Sequence, residues 1–385
     1  MNELKKYAGQ YKNELLESVV PFWMNNSKDS EFGGYFTCLN RRGEVFDTDK
    51  FMWLQGREVW MFSMLYNKVE KKQEWLDMAL HGAEFMKKYG MDANGNWYFS
   101  LTREGKPLVQ PYNIFSDCFA AMAFSELYKA TKNEEHKKLA LDTFSNILKR
   151  QDNTKGQYNK AYPGTRPLKN FSLPMILCNL SLIMEDILGT EHVNKTVQPL
   201  IKEVMEVFYD NNSGLILESV APDGSFSDSF EGRLMNPGHT NESMWFMMDL
   251  AVRNNDQALI QKAIDILLRS TENGWDKKHG GIFYFLDIKG HPVQQLEWDQ
   301  KLWWVHIETL ISMAKGYRLT GNQECKKWFE TIHEYAWNHF KDPEYPEWYG
   351  YLTRQGEPLL ELKGGKWKGC FHVPRGMYEI WKILE

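Results

Sequence analysis

Gly280-Gly281-Ile282-Phe283-Tyr284-Phe285-Leu286-Asp287-Ile288-Lys289-Gly290 opens on paired glycines and closes on a polar-Gly turn. Short apolar runs flanking a polar-Gly dipeptide read as a β-hairpin. The same form recurs from Gly33-Gly34-Tyr35-Phe36 to Arg42-Gly43 and from Trp97-Tyr98-Phe99 to Glu104-Gly105. It recurs again from Gly214-Leu215-Ile216 to Asp223-Gly224, and from Trp348-Tyr349-Gly350-Tyr351 to Gln355-Gly356. The turn glycines at 43, 105, 224, 290 and 356 are spaced by 62, 119, 66 and 66 residues. Because 119 is close to two periods, a degenerate sixth copy is expected at 156–168, around Gly156-Gln157-Tyr158 and Gly164.

Helical patterns fill the intervals. Trp75, Met78, Ala79, Gly82, Phe85, Met86 and Tyr89 share one helical face. Segments 134–150, 192–209, 256–272 and 322–340 read the same way, each ahead of a hairpin. A more apolar helix follows each hairpin: Val59–Tyr66, Phe115–Tyr128, Pro174–Ile187, Glu242–Val252, Glu308–Leu319 and Pro374–Leu384. Helices apolar on several faces belong inside. Met175 and Met184 on the third of these are expected in the core. Each repeat is therefore outer helix, hairpin, inner helix. A linear solenoid needs polar capping repeats, whereas the first and last repeats here carry the same aromatic hairpin as the middle ones. That favours closure into an all-α (α/α)6 barrel with the hairpins at one mouth. No linker divides the chain, so residues 1–385 read as one domain.

The 385 residues are 43% hydrophobic, which excludes a disordered chain, and the net charge of −5 argues against nucleic-acid or anionic-membrane binding. No run of about 18 apolar residues or signal-like N-terminus is present. Five cysteines without a CxxC pair indicate neither a disulfide framework nor a zinc site, so a cytoplasmic location is expected. Fifteen tryptophans exceed ordinary core needs and suit a sugar pocket, where rings cover C–H faces.

The repeat register locates the chemistry. Arg57, His239, His306 and His372 lie 14, 15, 16 and 16 residues after their turn glycines, with Glu242, Glu308 and Arg375 two or three residues beyond the histidines. This predicts a ring of titratable groups around one cavity. Two histidines on opposite sides of a substrate suit C–H epimerisation, one removing a proton and the other returning it to the opposite face. Arg57 suits stabilisation of the enolate oxygen.

These residues sit in motifs that resemble a known family. Met52-Trp53-Leu54-Gln55-Gly56-Arg57-Glu58-Val59-Trp60, Gly232 to Glu242 (GRLMNPGHTNE), Trp303-Trp304-Val305-His306-Ile307-Glu308 and Gly364 to Arg375 (GGKWKGCFHVPR) are similar to segments of the N-acylglucosamine 2-epimerases, in order and spacing. The resemblance implies an (α/α)6 barrel, typically a cytoplasmic homodimer of amino sugar and sialic acid metabolism, interconverting N-acetylglucosamine and N-acetylmannosamine. It implies Arg57, His239, Glu242 and His372 as catalytic residues, with the histidines as the proton-transfer pair. Glu242, one helical turn from His239, is expected to orient that ring or hold substrate. His306 and Glu308 are expected to bind sugar hydroxyls or help ring opening. Trp53, Trp303, Trp304, Phe371, Asn236 and Arg375 are expected to line the sugar site. Glu218 and Arg233 are placed at the rim without a role, and Trp367 flanks the last motif.

No cofactor is expected for the chemistry, because a C1 carbonyl already acidifies C2. There is neither a GxGxxG nor an HExxH, and no metal site is expected. ATP as an allosteric activator follows from some relatives. Gly364-Gly365-Lys366 and Tyr162-Pro163-Gly164-Thr165-Arg166 are the basic glycine loops considered for it. The neighbouring cellobiose 2-epimerases share the barrel, the arginine and both histidines but lack the KGCFHVPR wording. The rivals are a glycoside hydrolase drawing on Asp117, Glu242, Asp299 or Glu308, and a binding protein, since mammalian relatives have been described as binding renin.

Overall fold

Twelve helices carry the architecture of the computed structural model, which describes residues 3–162 and 164–385. The outer helices are α1 (3–26), α3 (Gln73–Tyr89), α5 (Glu134–Arg150), α7 (Thr190–Lys202, extended to 207), α9 (Gln257–Gly274) and α11 (Gln323–His339). Between them run the inner helices α2 (Met52–Lys68), α4 (Phe115–Thr131), α6 (Ser172–Ile183), α8 (Pro237–Asn254), α10 (Trp303–Thr320) and α12 (His372–Leu384). Outer helices are apolar on one face: α3 buries Trp75, Met78, Ala79, Gly82, Ala83, Phe85 and Met86 and leaves the rest to solvent. Inner helices are buried nearly all round, as α10 is from Trp303 to Tyr317. Met175 and Met184 lie in the core. The five cysteines are buried and unpaired.

All five turn glycines have positive φ, between 75° and 93°, a region that costs glycine little and other residues more. Each N–H closes the same tight turn on the carbonyl three residues back, as Gly43 does on Asn40 and Gly356 on Thr353, both at 3.0 Å. The degenerate copy at 156–168 does not form a hairpin. Among the described residues it is one short 3-10 turn, Gly156–Tyr158, and an exposed loop. Without a polar-Gly turn between apolar runs, it has no inward-facing side chains to hold a ladder. Pro163 of the Tyr162–Arg166 loop lies outside the described residues.

The hairpins join the repeats. The strand leading into an inner helix pairs with the hairpin of the next repeat: Lys50-Phe51 with Ser100-Leu101, Lys169-Asn170 with Ser219-Val220, Leu234-Met235 with Leu286-Asp287, and Lys301-Leu302 with Tyr351-Leu352. The sixth repeat applies the same rule to the first. Leu362 bridges Asn40, and Lys363 N–H donates to the Leu39 carbonyl at 2.9 Å. Below this seam Tyr11 Oη meets His333 Nδ1 at 2.8 Å, and Trp23 Nε1 donates to Glu347 at 2.7 Å. The solenoid alternative is thereby excluded, and the barrel is closed.

A buried Asp–Lys pair joined by a partly exposed arginine repeats at three of the seams. Asp29 takes Lys50 of its own repeat (2.9 Å) and Arg103 of the next hairpin (3.0 Å). Asp276 takes Lys301 (3.3 Å) and Arg354 (2.9 Å). Asp342 takes Lys363 (2.9 Å) and Arg41 (2.8 Å), the latter from the first repeat. Burial opposes each carboxylate's charge. The Arg and Lys bonds outweigh it and hold all three well below the usual range.

Inner helices begin earlier than their apolar patterns indicate: α2 at Met52 rather than Val59, α8 at Pro237 rather than Glu242, α10 at Trp303 rather than Glu308. Polar residues facing the lumen interrupt the pattern, and Pro237 supplies a ready-made first helical position. Consequently the matched offsets do not share a helical position. Arg57 is the sixth residue of its helix, His239 the third, His306 the fourth and His372 the first. At about 100° per residue they point in different directions.

Replacing Asp342 with Asn leaves Lys363 buried without its counter-charge. Breaking a buried pair from one side costs about 3 kcal/mol or more. Urea unfolding of Asp342→Asn is expected to show a loss of that size, and a loss below about 1 kcal/mol would refute a closing role for the triad.

Candidate active site

At the mouth, His239 and His372 both pack on the indole of Trp304, with centroid separations of 5.2 and 5.8 Å and interplanar angles of 38° and 35°. Each imidazole is turned by its own carboxylate. Glu218 accepts from His239 Nδ1 at 3.0 Å, and Glu308 accepts from His372 Nδ1 at 2.7 Å. Ionised carboxylates only accept, so the Nδ1 atoms carry the protons and both Nε2 atoms are left for a substrate. Asn236 caps α8 by accepting the His239 backbone N–H at 3.1 Å, and its amide nitrogen is buried without a partner.

The two rings differ electrostatically. Burial disfavours the charged form of His239, but Glu218 outweighs it and raises the pKa. His372 is pulled well below the usual range by burial and by the Arg57 cation. The pair is therefore biased in opposite directions, His239 toward the protonated form and His372 toward the neutral base.

Arg57 is buried between aromatic rings, its guanidinium carbon 4.0 Å from the Phe119 centroid, 4.3 Å from Trp53 and 4.6 Å from Phe371. It makes no hydrogen bond to the protein among the described residues, and its Nε is buried without a partner. Burial lowers its pKa to about 9, so it stays charged at neutral pH. This is a cation whose donors are unspent. Arg375 is its opposite: Nη2 bonds Glu242 at 2.7 Å and Glu308 at 2.5 Å. The Phe371 ring packs against both guanidiniums, 4.4 Å from that of Arg375.

Several expectations need correction. Glu242 does not orient His239; it binds Arg375, and Glu218 holds the ring. Glu308 holds His372, and its other oxygen accepts from Trp245 Nε1 at 2.9 Å. His306 is not brought to the cluster. Its Nδ1 is 2.7 Å from the Leu302 carbonyl, its Nε2 accepts the Ile282 N–H at 2.9 Å, and the ring stacks on Tyr335 of α11. Burial lowers its pKa to about 3, leaving a neutral structural imidazole. Trp53 lies under the Arg57 guanidinium and packs edge-on against Trp367, and Trp303 packs edge-on against His372 at 6.4 Å. Arg233 binds Asp287 across the seam between the fourth and fifth repeats, and Asp228 of its own repeat.

Glu242, Glu308 and His372 each offer a ligand atom within 4.8 Å of the others. The Arg375 guanidinium already bridges both carboxylates and supplies the positive charge there. The same bridge occupies the carboxylates a hydrolase would need, and Asp117 faces Arg150 on α5 at 2.8 Å. The Gly364-Gly365-Lys366 loop is the closing seam: Gly364 N–H donates to Leu39 and Gly365 N–H to Lys368, so neither is free to cradle a phosphate.

Glu218 and Trp245 were not assigned from the sequence. A signal for Glu218 existed in the repeat. It lies eight residues after Asp210, as Tyr284 does after Asp276. The residue before each donates to the matching carbonyl, Leu217 to Phe208 and Phe283 to Gly274.

The family model of N-acylglucosamine 2-epimerase (GlcNAc 2-epimerase) matches residues 34–373. The chain belongs to this family. It is 39% identical over 384 residues to the N-acylglucosamine 2-epimerase of Rattus norvegicus, covering 97% of this chain and 91% of the relative. It is 39% identical over 373 residues to that of Bos taurus, covering 94% and 87%. Among solved structures, the cellobiose 2-epimerase of Bacillus thermoamylovorans superposes with a TM-score of 0.85 at 22% identity, covering 98% of this chain and 99% of that one, which establishes the barrel fold. Among the described residues of this family member, no helix is long and apolar enough to cross a membrane.

Glu218→Gln removes the charge that raises His239. A pair sharing one proton gives a bell-shaped profile whose alkaline limb follows the higher pKa. In Glu218→Gln the alkaline limb of kcat/KM is expected to move to lower pH while the acid limb, governed by His372, stays. An unmoved alkaline limb would refute the assignment.

Proposed function

We propose that the protein is an N-acylglucosamine 2-epimerase, interconverting N-acetylglucosamine and N-acetylmannosamine through one catalytic barrel spanning residues 1–385. The observation that carries this is the pair of imidazoles packed on Trp304, each oriented by its own carboxylate and oppositely biased in protonation. Family membership supplies the sugar class.

In the open-chain sugar the C1 carbonyl acidifies the C2 hydrogen. Neutral His372 takes that proton at Nε2 as the C2–H electrons move into an enolate. Arg57, with its donors unspent, stabilises the developing charge on O1. Protonated His239 returns a proton from Nε2 to the opposite face of C2, and the carbonyl re-forms. In the reverse direction the proton on the pair is redistributed and the roles exchange. Glu218 and Glu308 fix each ring's tautomer, and Arg375 with Glu242 holds Glu308 in place. Trp53, Trp304 and Phe371 exclude water around the sugar, and Asn236 sets the start of α8. None of these steps calls for a cofactor.

The same reading carries a cytoplasmic homodimer in amino sugar and sialic acid metabolism, and ATP as an effector, on the strength of the family resemblance alone. Turnover with and without ATP tests the effector.

Incubation with N-acetylmannosamine in D2O, followed by proton NMR, is expected to yield N-acetylglucosamine carrying deuterium at C2. His239→Asn and His372→Asn are each expected to lose about 10²- to 10⁴-fold in epimerisation with unchanged far-UV circular dichroism. Each should still exchange C2–H of the one epimer that faces its remaining histidine. Normal epimerisation in both variants, or product without deuterium, would overturn the two-base mechanism. Conversion of cellobiose or mannose instead would overturn the assigned sugar.

A further inference from the structure

Two phenols stand at the mouth outside the proton-transfer machinery. Tyr284 comes from the hairpin of the fifth repeat and Tyr351 from that of the sixth, and both are half-buried. Tyr284 packs edge-on against Trp304, with centroids 6.0 Å apart at 86°. Tyr351 does the same against Trp303, at 5.1 Å and 67°. Those adjacent tryptophans in turn pack on His372. The phenol rings are thus fixed relative to the base through one layer of indoles. Neither phenol oxygen hydrogen-bonds to the protein among the described residues, and neither is among the enclosed polar atoms that lack partners. Both hydroxyls therefore have access to solvent and unspent hydrogen-bonding capacity. Tyr284 also occupies the hairpin position that in the preceding repeat holds Glu218, the residue that reaches in to His239.

The depth of the cavity orients the substrate. Arg57, Glu242 and Glu308 are the sixth residues of their helices, about 7.5 Å below the helix starts at 1.5 Å per residue. The histidines lie nearer the mouth, and the hairpins form its rim. A sugar with O1 on Arg57 and C2 between the imidazoles runs outward, so its far end reaches the hairpins.

We propose that Tyr284 and Tyr351 form a rim clamp that hydrogen-bonds the C6 hydroxymethyl end of the sugar and selects six-carbon over five-carbon substrates. Burial raises both phenol pKa values, so the hydroxyls stay protonated and can donate. This rests on the proposed epimerase reading and adds its length selectivity.

The test uses Tyr284→Phe, Tyr351→Phe and the double variant, which keep the rings and remove only the hydroxyls. Steady-state epimerisation is measured with N-acetylmannosamine and with its five-carbon analogue, 2-acetamido-2-deoxy-D-lyxose. Two modest hydrogen bonds predict a rise of roughly tenfold in KM for the hexose in the double variant, with kcat within about twofold. KM for the pentose is expected to stay unchanged, so the wild-type preference collapses. Unchanged hexose KM, or an equal rise for both sugars, would overturn the clamp while leaving the epimerase reading intact. Absence of N-acetylmannosamine turnover in the wild type would overturn both.

Discussion

Closure of the ring is the constraint on which everything else rests. A helix pair that ended in solvent would expose the inner face of its neighbour and leave the cavity open along one side. Here the last repeat meets the first through Asp342, which draws Lys363 and Arg41 onto one buried carboxylate. The same arrangement at Asp29 and Asp276 shows that closure is a repeat of internal seams. Desolvating the Asp–Lys pair is tolerable only because each seam satisfies its carboxylate from two cations and several backbone groups. Removing any one leaves the others stranded, which ties the register of neighbouring repeats to a discrete geometry.

That rigidity is what the mouth exploits. Five ionisable groups, Arg57, Glu242, Glu308, His372 and Arg375, sit together out of water. Glu308 organises them by accepting from His372, Arg375 and Trp245 at once. A buried carboxylate with three donors has little reason to move, so His372 is held in one tautomer with Nε2 free. Arg57 is the deliberate exception. Three aromatic faces support its charge without occupying its donors, and an unsatisfied buried cation is costly unless an anion completes it. The developing enolate is such an anion.

Much of this was readable in one dimension. The period of about 60–66 residues, the turn glycines and the alternation of half-apolar and wholly apolar helices led to the (α/α)6 barrel and its hairpin mouth. The motifs singled out Arg57, His239, Glu242, His372, Glu308 and Arg375, all of which converge. Matching the histidines by offset from a turn glycine failed for His306, because loop lengths between turn and helix differ from repeat to repeat. A shift of a few residues rotates a helical side chain from the lumen to the outer layer. The role of Glu218, placed at the rim from the sequence, escaped for the converse reason: no local motif marks it, and only the repeat register aligns it with Tyr284.

The amino-acid order by itself determined the architecture and the inventory of chemistry, since periodicity and turn residues act over a few positions. Which carboxylate serves which histidine was decided only by the tertiary structure. Glu218 reaches His239 across 21 residues, and Glu308 reaches His372 across 64. The three-residue spacing of His239 and Glu242 suggested a pairing that Arg375, 133 residues from Glu242, takes over. Hydrogen bonds of this kind are chosen by proximity in the closed ring, where the strongest donor within reach of a buried carboxylate wins, and sequence separation carries no information about that contest.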